Sequence, residues 1–187
     1  MEQRVFLFMD LEGSTGIAER LGPSEYSRFI RHCFQELTDV VVTHGAQVYQ
    51  YVGDEVVLTW PGTSEEARCR CVRAYYQFRE RLSERHEWYR AQFDCAPTFR
   101  GGIEAGPVAA TEVGDVKREI AYHGDALNTA ARLLEMCKSV GAELLATERI
   151  QEAVTATAGF RADLQTQVAL RGQTHETAVY RIAPVGG

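Results

Sequence analysis

The sequence predicts an α+β domain: a ferredoxin-like βαββαβ core followed by additional C-terminal strands and a helix. Three observations carry that expectation. Short apolar runs alternate with longer stretches in which apolar residues recur every three or four positions, the periods of strand and helix. Two of the strand-like runs are joined only by Gly53-Asp54-Glu55, a tight hairpin. The order strand, helix, hairpin, helix, strand is that of a ferredoxin-like sheet with helices on one face.

Residues 5–9 (Val-Phe-Leu-Phe-Met) are a continuous apolar run closed by Asp10, as expected of a fully buried strand. Gly13, Ser14 and Thr15 form a turn able to cap a helix. A second helix is expected from Pro23 or Ser24 to about His44, with Tyr26, Phe29, Ile30, Phe34, Leu37 and Val41 at helical spacing and Pro23 in its first turn. Residues 47–52 and 56–60 are the hairpin strands. One long helix is expected from Ser64 to about Ala91, with Ala67, Cys71, Ala74, Tyr75, Phe78 and Leu82 on one face. Strand character resumes at 98–110 and again at 117–122. A helix over 124–139, a short strand at 144–146, a short helix over 147–154, and terminal strands near 165–170 and 176–182 complete the chain. No repeat, low-complexity tract or linker interrupts 187 residues, so residues 1–187 read as a single domain.

A formal net charge of −6 argues against a general nucleic-acid binder, which carries a basic patch or stripe. It leaves room for a nucleotide ligand held by cations and a few local Arg or Lys residues. The five cysteines are odd in number and lack zinc-ligand spacing, so they read as reduced thiols. No apolar stretch is long enough for a membrane span and the first strand starts almost at Met1, so the chain is expected to be soluble and cytoplasmic, without membrane partners.

Three segments hold candidate chemistry. In Asp10-Leu11-Glu12-Gly13-Ser14-Thr15 a carboxylate at a strand end precedes a helix-entry turn, a pairing of cation and phosphate preferences. Asp10 alone reads more readily as a helix cap. Asp54 sits at a hairpin tip whose strand is expected to pair with the one ending at Asp10, and two acidic tips held close are far more specific than either alone. In Gly124-Asp125-Ala126-Leu127-Asn128-Thr129-Ala130-Ala131-Arg132, Asn128 and Arg132 are four apart and share a helix face, where an amide and a guanidinium suit a ribose and a reacting phosphate.

In this order and spacing the three segments resemble the class III adenylyl/guanylyl cyclase catalytic domain. Phe99-Arg100-Gly101-Gly102-Ile103-Glu104-Ala105-Gly106-Pro107-Val108 is similar to that family's central strand, Val113-Gly114 to the start of its interfacial arm, and Leu170-Arg171-Gly172 to its late Lys-Gly strand. The resemblance implies a lyase that closes a nucleoside triphosphate into a 3′,5′-cyclic nucleotide with release of pyrophosphate. It further implies two divalent ions (Mg²⁺ or Mn²⁺) on Asp10, Asp54 and the Leu11 carbonyl, and phosphates on Glu12, Gly13, Ser14, Thr15 and Arg171. Asn128 would orient the ribose and Arg132 stabilise the transition state. Both halves of the site lie in one chain, which implies a head-to-tail homodimer with its sites at the interface.

The base determinants depart from the family. Its adenine-selecting Lys and Asp or Thr, and its guanine-selecting Glu and Cys, are replaced by Gln50 and Ala121. Gln50 both donates and accepts and suits a pyrimidine edge, whereas Ala121 offers no hydrogen bond. Tyr49 and Tyr51 flank Gln50, and strand alternation points both away from its face; Tyr51 is retained as a candidate base contact. These segments resemble a bacterial branch that includes the pyrimidine (uridylate or cytidylate) cyclases of antiphage systems. That implies cyclic UMP or CMP read by a separate effector protein. An adenylyl cyclase making cyclic AMP, and a catalytically inactive nucleotide-binding or regulatory module, are the alternatives.

Overall fold

The computed structural model describes residues 1–155, 159–169 and 176–186. In chain order the elements are β1 (Glu2–Leu11), α1 (Ser14–Thr43), β2 (Gln47–Val52), β3 (Glu55–Pro61), α2 (Glu65–Glu84), α3 (His86–Phe93) and β4 (Phe99–Val113). They continue with β5 (Glu119–His123), α4 (Asp125–Val140), β6 (Leu144–Thr147), α5 (Glu148–Thr155), β7 (Phe160–Ala169) and β8 (Glu176–Pro184). The sheet runs β2-β3-β1-β4-β6-β8-β7. Its first four strands pair antiparallel throughout, which is the expected ferredoxin-like core. β5 folds back on the outer half of β4 as a two-stranded arm whose Val113, Val116 and Ile120 are exposed.

β1 is the central strand, and its apolar run serves two cores. Val5, Leu7, Met9 and Leu11 face α1, α2 and α3, together with Phe29, Leu37, Tyr75, Phe78 and Tyr89. Phe6 and Phe8 face the other way, onto Ala126, Ala130 and Leu134 of α4. Helices therefore cover both faces, not one. The reason lies in the run itself, since residues apolar at both parities need cover on both sides.

Two helix expectations are refined. α1 begins at Ser14 and continues to Thr43, but Gly22 breaks it with φ 74° and ψ 166° just before Pro23. The kink arises because Pro23 clashes with helical geometry at the residue before it, and glycine alone takes the resulting conformation without strain. The expected long helix over 64–91 is two helices divided at Arg85 (φ −101°, ψ 13°). Arg85 pairs with Glu36 and lies over the Trp88 and Tyr89 rings at 4.1 and 5.7 Å. The break re-aims the apolar side chains, so that Tyr89 and Phe93 meet Phe29 of α1 edge-on at 5.8 and 5.2 Å. The terminal strands appear as β7 and β8, while Leu170 and Arg171 lie outside the described residues.

α4 approaches the sheet so closely that Gly102 has no room for a side chain. A Cβ there would lie 2.2 Å from the Ala130 carbonyl oxygen and 2.5 Å from the Leu134 nitrogen, both backbone atoms. We expect Gly102→Ala to destabilise the domain by about 1–3 kcal/mol, the usual cost of overpacking. Gly16→Ala, at a helical glycine with open space around it, should be neutral or stabilising. Urea denaturation of the two variants checks the contrast.

Candidate active site

Strand register builds the acidic half of the site. Asp10, at the end of β1, lies across from Glu55 on β3 and from Arg100 on β4. Val52 and Glu55 pair across a two-residue turn, with Gly53 at φ 62° taking the first turn position and Asp54 the second. The turn thus delivers the Asp54 carboxylate to the side of Asp10. Burial, then the charge of Asp54 and a hydrogen bond with its carboxyl, then the charge of Glu55, push the Asp10 carboxyl up to about 6, while the Leu11 N–H opposes the shift. Burial and the nearby carboxylates of Asp54 and Glu135 also raise Glu55. The Asp54 Oδ2 is buried without a hydrogen-bond partner among the described residues. An orphaned carboxylate oxygen amid other acids is a site short of positive charge.

The helix-entry turn lies beside this pair. Asp10, Leu11, Glu12, Gly13, Ser14, Thr15 and Arg100 line one hollow of about 620 Å³. The Glu12 amide is already spent, donating to the Thr98 carbonyl at 2.8 Å, so it is not free to hold a phosphate. Donors remain on the first turn of α1, where helix N–H groups lack intrahelical acceptors. The Glu12 carboxylate pairs with Arg100. Among the described residues no group of three or more His, Cys, Asp or Glu side chains is disposed to hold a metal ion by itself. Two carboxylates and a backbone carbonyl still suit hard divalent cations that draw their other ligands from phosphates and water.

Arg100, Tyr26 and Lys138 escape the sequence reading, Lys138 lining the hollow from α4. Arg100 supplies a guanidinium to the hollow, but within a Gly-rich strand nothing distinguishes it from a surface arginine. Tyr26, on α1, sits beside Asp54 and Ser14; burial, then the charge of Asp54, hold its hydroxyl proton up to about 12. Its apolar spacing marked it only as a core aromatic.

Asn128 and Arg132 are exposed on α4, Arg132 without a partner among the described residues, and neither lines the acidic hollow. The opposite face of α4, with Ala126, Ala130 and Leu134, is the buried one. Gln50 and Ala121 do meet, in a separate cavity of about 650 Å³ that also takes in Tyr49, Tyr51 and Tyr122. The expected orientation holds for Tyr51 and is corrected for Tyr49, which shares the face of Gln50. A bulge between Val48 and Gln50 resets the alternation, so Tyr49 packs on Phe6 and Tyr122 while Tyr51 turns to Phe34 of α1. Arg171 lies outside the described residues.

The acidic pair makes stability depend on pH. Asp10 holds its proton more tightly in the fold than when unfolded, so its contribution is fully present below about pH 4 and is lost as pH rises through about 6. In metal-free protein, Asp54→Asn should therefore raise the melting temperature at pH 7, and the gain should fade toward pH 4. For half-buried carboxyls we expect about 1 kcal/mol after solvent screening. Thermal melts across this pH range test the sign.

Residues 1–183 match the family model for the adenylate and guanylate cyclase catalytic domain. Adenylate cyclase 2 of Rhizobium meliloti is 35% identical over 145 residues, covering 77% of this chain and 40% of the relative, so this chain spans well under half of that protein. The adenylyl cyclase CyaB from P. aeruginosa superposes with a TM-score of 0.84 at 18% identity, over 97% of this chain and 94% of that one. The guanylyl cyclase Cya2 superposes at 0.82 with 21% identity, over 100% and 96%. With βαββαβ core, paired acidic strand ends and adjoining helix-entry turn in place, the chain belongs to the adenylate and guanylate cyclase catalytic domain family.

Proposed function

We propose that this chain cyclises a nucleoside triphosphate to its 3′,5′-cyclic monophosphate, acting as a head-to-tail homodimer and preferring a pyrimidine base. The observation that carries the reaction is the buried, partnerless Asp54 oxygen beside Asp10, next to a helix entry suited to phosphate. Asp10, Asp54 and the Leu11 carbonyl hold two divalent cations, Mg²⁺ or Mn²⁺. Such ions make the ribose hydroxyl more acidic and neutralise phosphate charge. The first turn of α1, from Gly13 to Thr15, and Arg100 bind the triphosphate, with Arg171 as a further cation. Asn128 orients the ribose and Arg132 stabilises charge on the reacting phosphate. The 3′-oxygen bonds to the α-phosphorus as the bond to pyrophosphate breaks in line.

The exposure of Asn128 and Arg132 supports the dimer. They do not line the acidic hollow of their own chain, although Glu135 and Lys138 of the same helix do, and in this reading α4 of a second copy brings Asn128 and Arg132 to it. Complementation provides a direct test. Asp54→Ala and Arg132→Ala should each abolish turnover, whereas mixing them should restore about a quarter of wild-type activity, because half the dimers at most carry one intact site. Failure of the mixture to recover any turnover counts against the shared site.

Base preference is argued from Gln50 and Ala121, which line one cavity and lack the polar pair that reads a purine edge. The likeness of this region to antiphage pyrimidine cyclases supports cyclic UMP or CMP as a messenger read by a separate effector. A second reading, cyclic AMP from ATP, is favoured by the 35% identity to a relative named adenylate cyclase. A Mn²⁺-supported assay with ATP, GTP, CTP and UTP in parallel, products identified by mass, decides. A cyclic pyrimidine should dominate and vanish in Asp54→Ala, whereas dominant cyclic AMP overturns the pyrimidine preference.

A further inference from the structure

Arg4 is a charged side chain buried in the central strand, only 5% exposed. Its donors are distributed among three partners. Nε donates to Thr59 Oγ1 at 3.0 Å, Nη1 to Glu2 Oε2 at 3.0 Å, and Nη2 to Gln47 Oε1. Its guanidinium also lies 4.7 Å from the centre of the Tyr122 ring. Thr59 passes its own proton inward, to the Val5 carbonyl at 2.9 Å. Gln47, Thr59 and Tyr122 all line the cavity that holds Gln50 and Ala121.

This network removes a freedom that glutamine normally has. A guanidinium has donors and no acceptor, so the Gln47 amide is forced to turn its oxygen toward Arg4. Its –NH₂ group is left to the outer side, with no partner among the described residues. Gln47 is itself exposed on the edge strand β2, so that group is available to a ligand.

We infer that Arg4 locks Gln47 as a hydrogen-bond donor to the base, so that the cavity selects bases with a carbonyl over bases with an amino group at C4 of a pyrimidine or C6 of a purine. The inference rests on the cyclase reading and sharpens it from pyrimidine to uracil. Uracil and cytosine have the same size and differ at C4 in oxygen against amino. A fixed donor meets an acceptor in the first and another donor in the second, so that once the base covers them the facing N–H groups are left unpaired. Guanine and adenine differ in the same sense at C6, so the preference has a sign within each size class, whichever class the cavity accepts. Gln50 keeps both amide orientations and adapts to the neighbouring ring position.

Equilibrium binding of 3′-deoxynucleoside triphosphates with Mn²⁺ tests this without turnover, because they lack the attacking hydroxyl. By calorimetry, wild type should bind 3′-deoxy-UTP about ten-fold more tightly than 3′-deoxy-CTP, and 3′-deoxy-GTP more tightly than 3′-deoxy-ATP. Gln47→Glu keeps the bond from Arg4 but offers only acceptors, and should invert both ratios. Gln47→Ala should bring both toward one, with thermal melts confirming that each variant is folded. Tight wild-type binding without an oxo-over-amino preference, or a preference untouched by Gln47→Glu, overturns the inference while leaving the cyclase reading intact. Absence of binding to all four triphosphates overturns both.

Discussion

Two carboxylates are held at one end of the central strand pair, and much of the molecule follows from keeping them there. Pairing of β1 with β3 sets Asp10 across from Glu55, and the two-residue turn before Glu55 carries Asp54 to the same place. Burial and like charge push Asp10 to about 6, so the arrangement opposes folding at neutral pH. It persists because β1 is over-determined elsewhere: both faces of its apolar run are packed, and both edges are paired. Bound cations would offset that electrostatic cost.

The same strand explains why Asn128 and Arg132 lie outside the acidic hollow of their own chain. Phe6 and Phe8 seat α4 by its buried face, and Gly102 lets that helix come within backbone contact. The opposite face, with Asn128 and Arg132, is thereby committed to solvent. The acidic hollow and the cavity lined by Gln50 and Ala121 are separate on one chain.

What sequence reasoning reaches is determined by the range of the interaction involved. The hairpin at Gly53-Asp54 and the strand ending at Asp10 are legible, because turn chemistry and apolar runs act over a few residues. Helix cover on both faces was also legible in residues 5–9, which are apolar at both parities, although the one-faced expectation overlooked it. The break at Arg85 was not, since it depends on Glu36, Trp88 and Phe29, brought together only by the fold. The bulge that separates Tyr49 from Tyr51 is equally invisible, as no glycine or proline marks it. Asp10 and Asp54 stand out by type and position, and Asn128 and Arg132 through family resemblance. Tyr26, Arg100 and the spent Glu12 amide are tertiary facts, each set by a partner distant in the chain.

The account turns on cations answering the Asp10–Asp54 pair in a site completed by a second chain. Anomalous diffraction from crystals grown with Mn²⁺ and a 3′-deoxynucleoside triphosphate addresses both parts at once. The account predicts manganese between Asp10 and Asp54, with Asn128 and Arg132 from a second copy closing on the nucleotide. Manganese elsewhere, or a nucleotide bound with the α4 side chains of every copy still facing solvent, would contradict it.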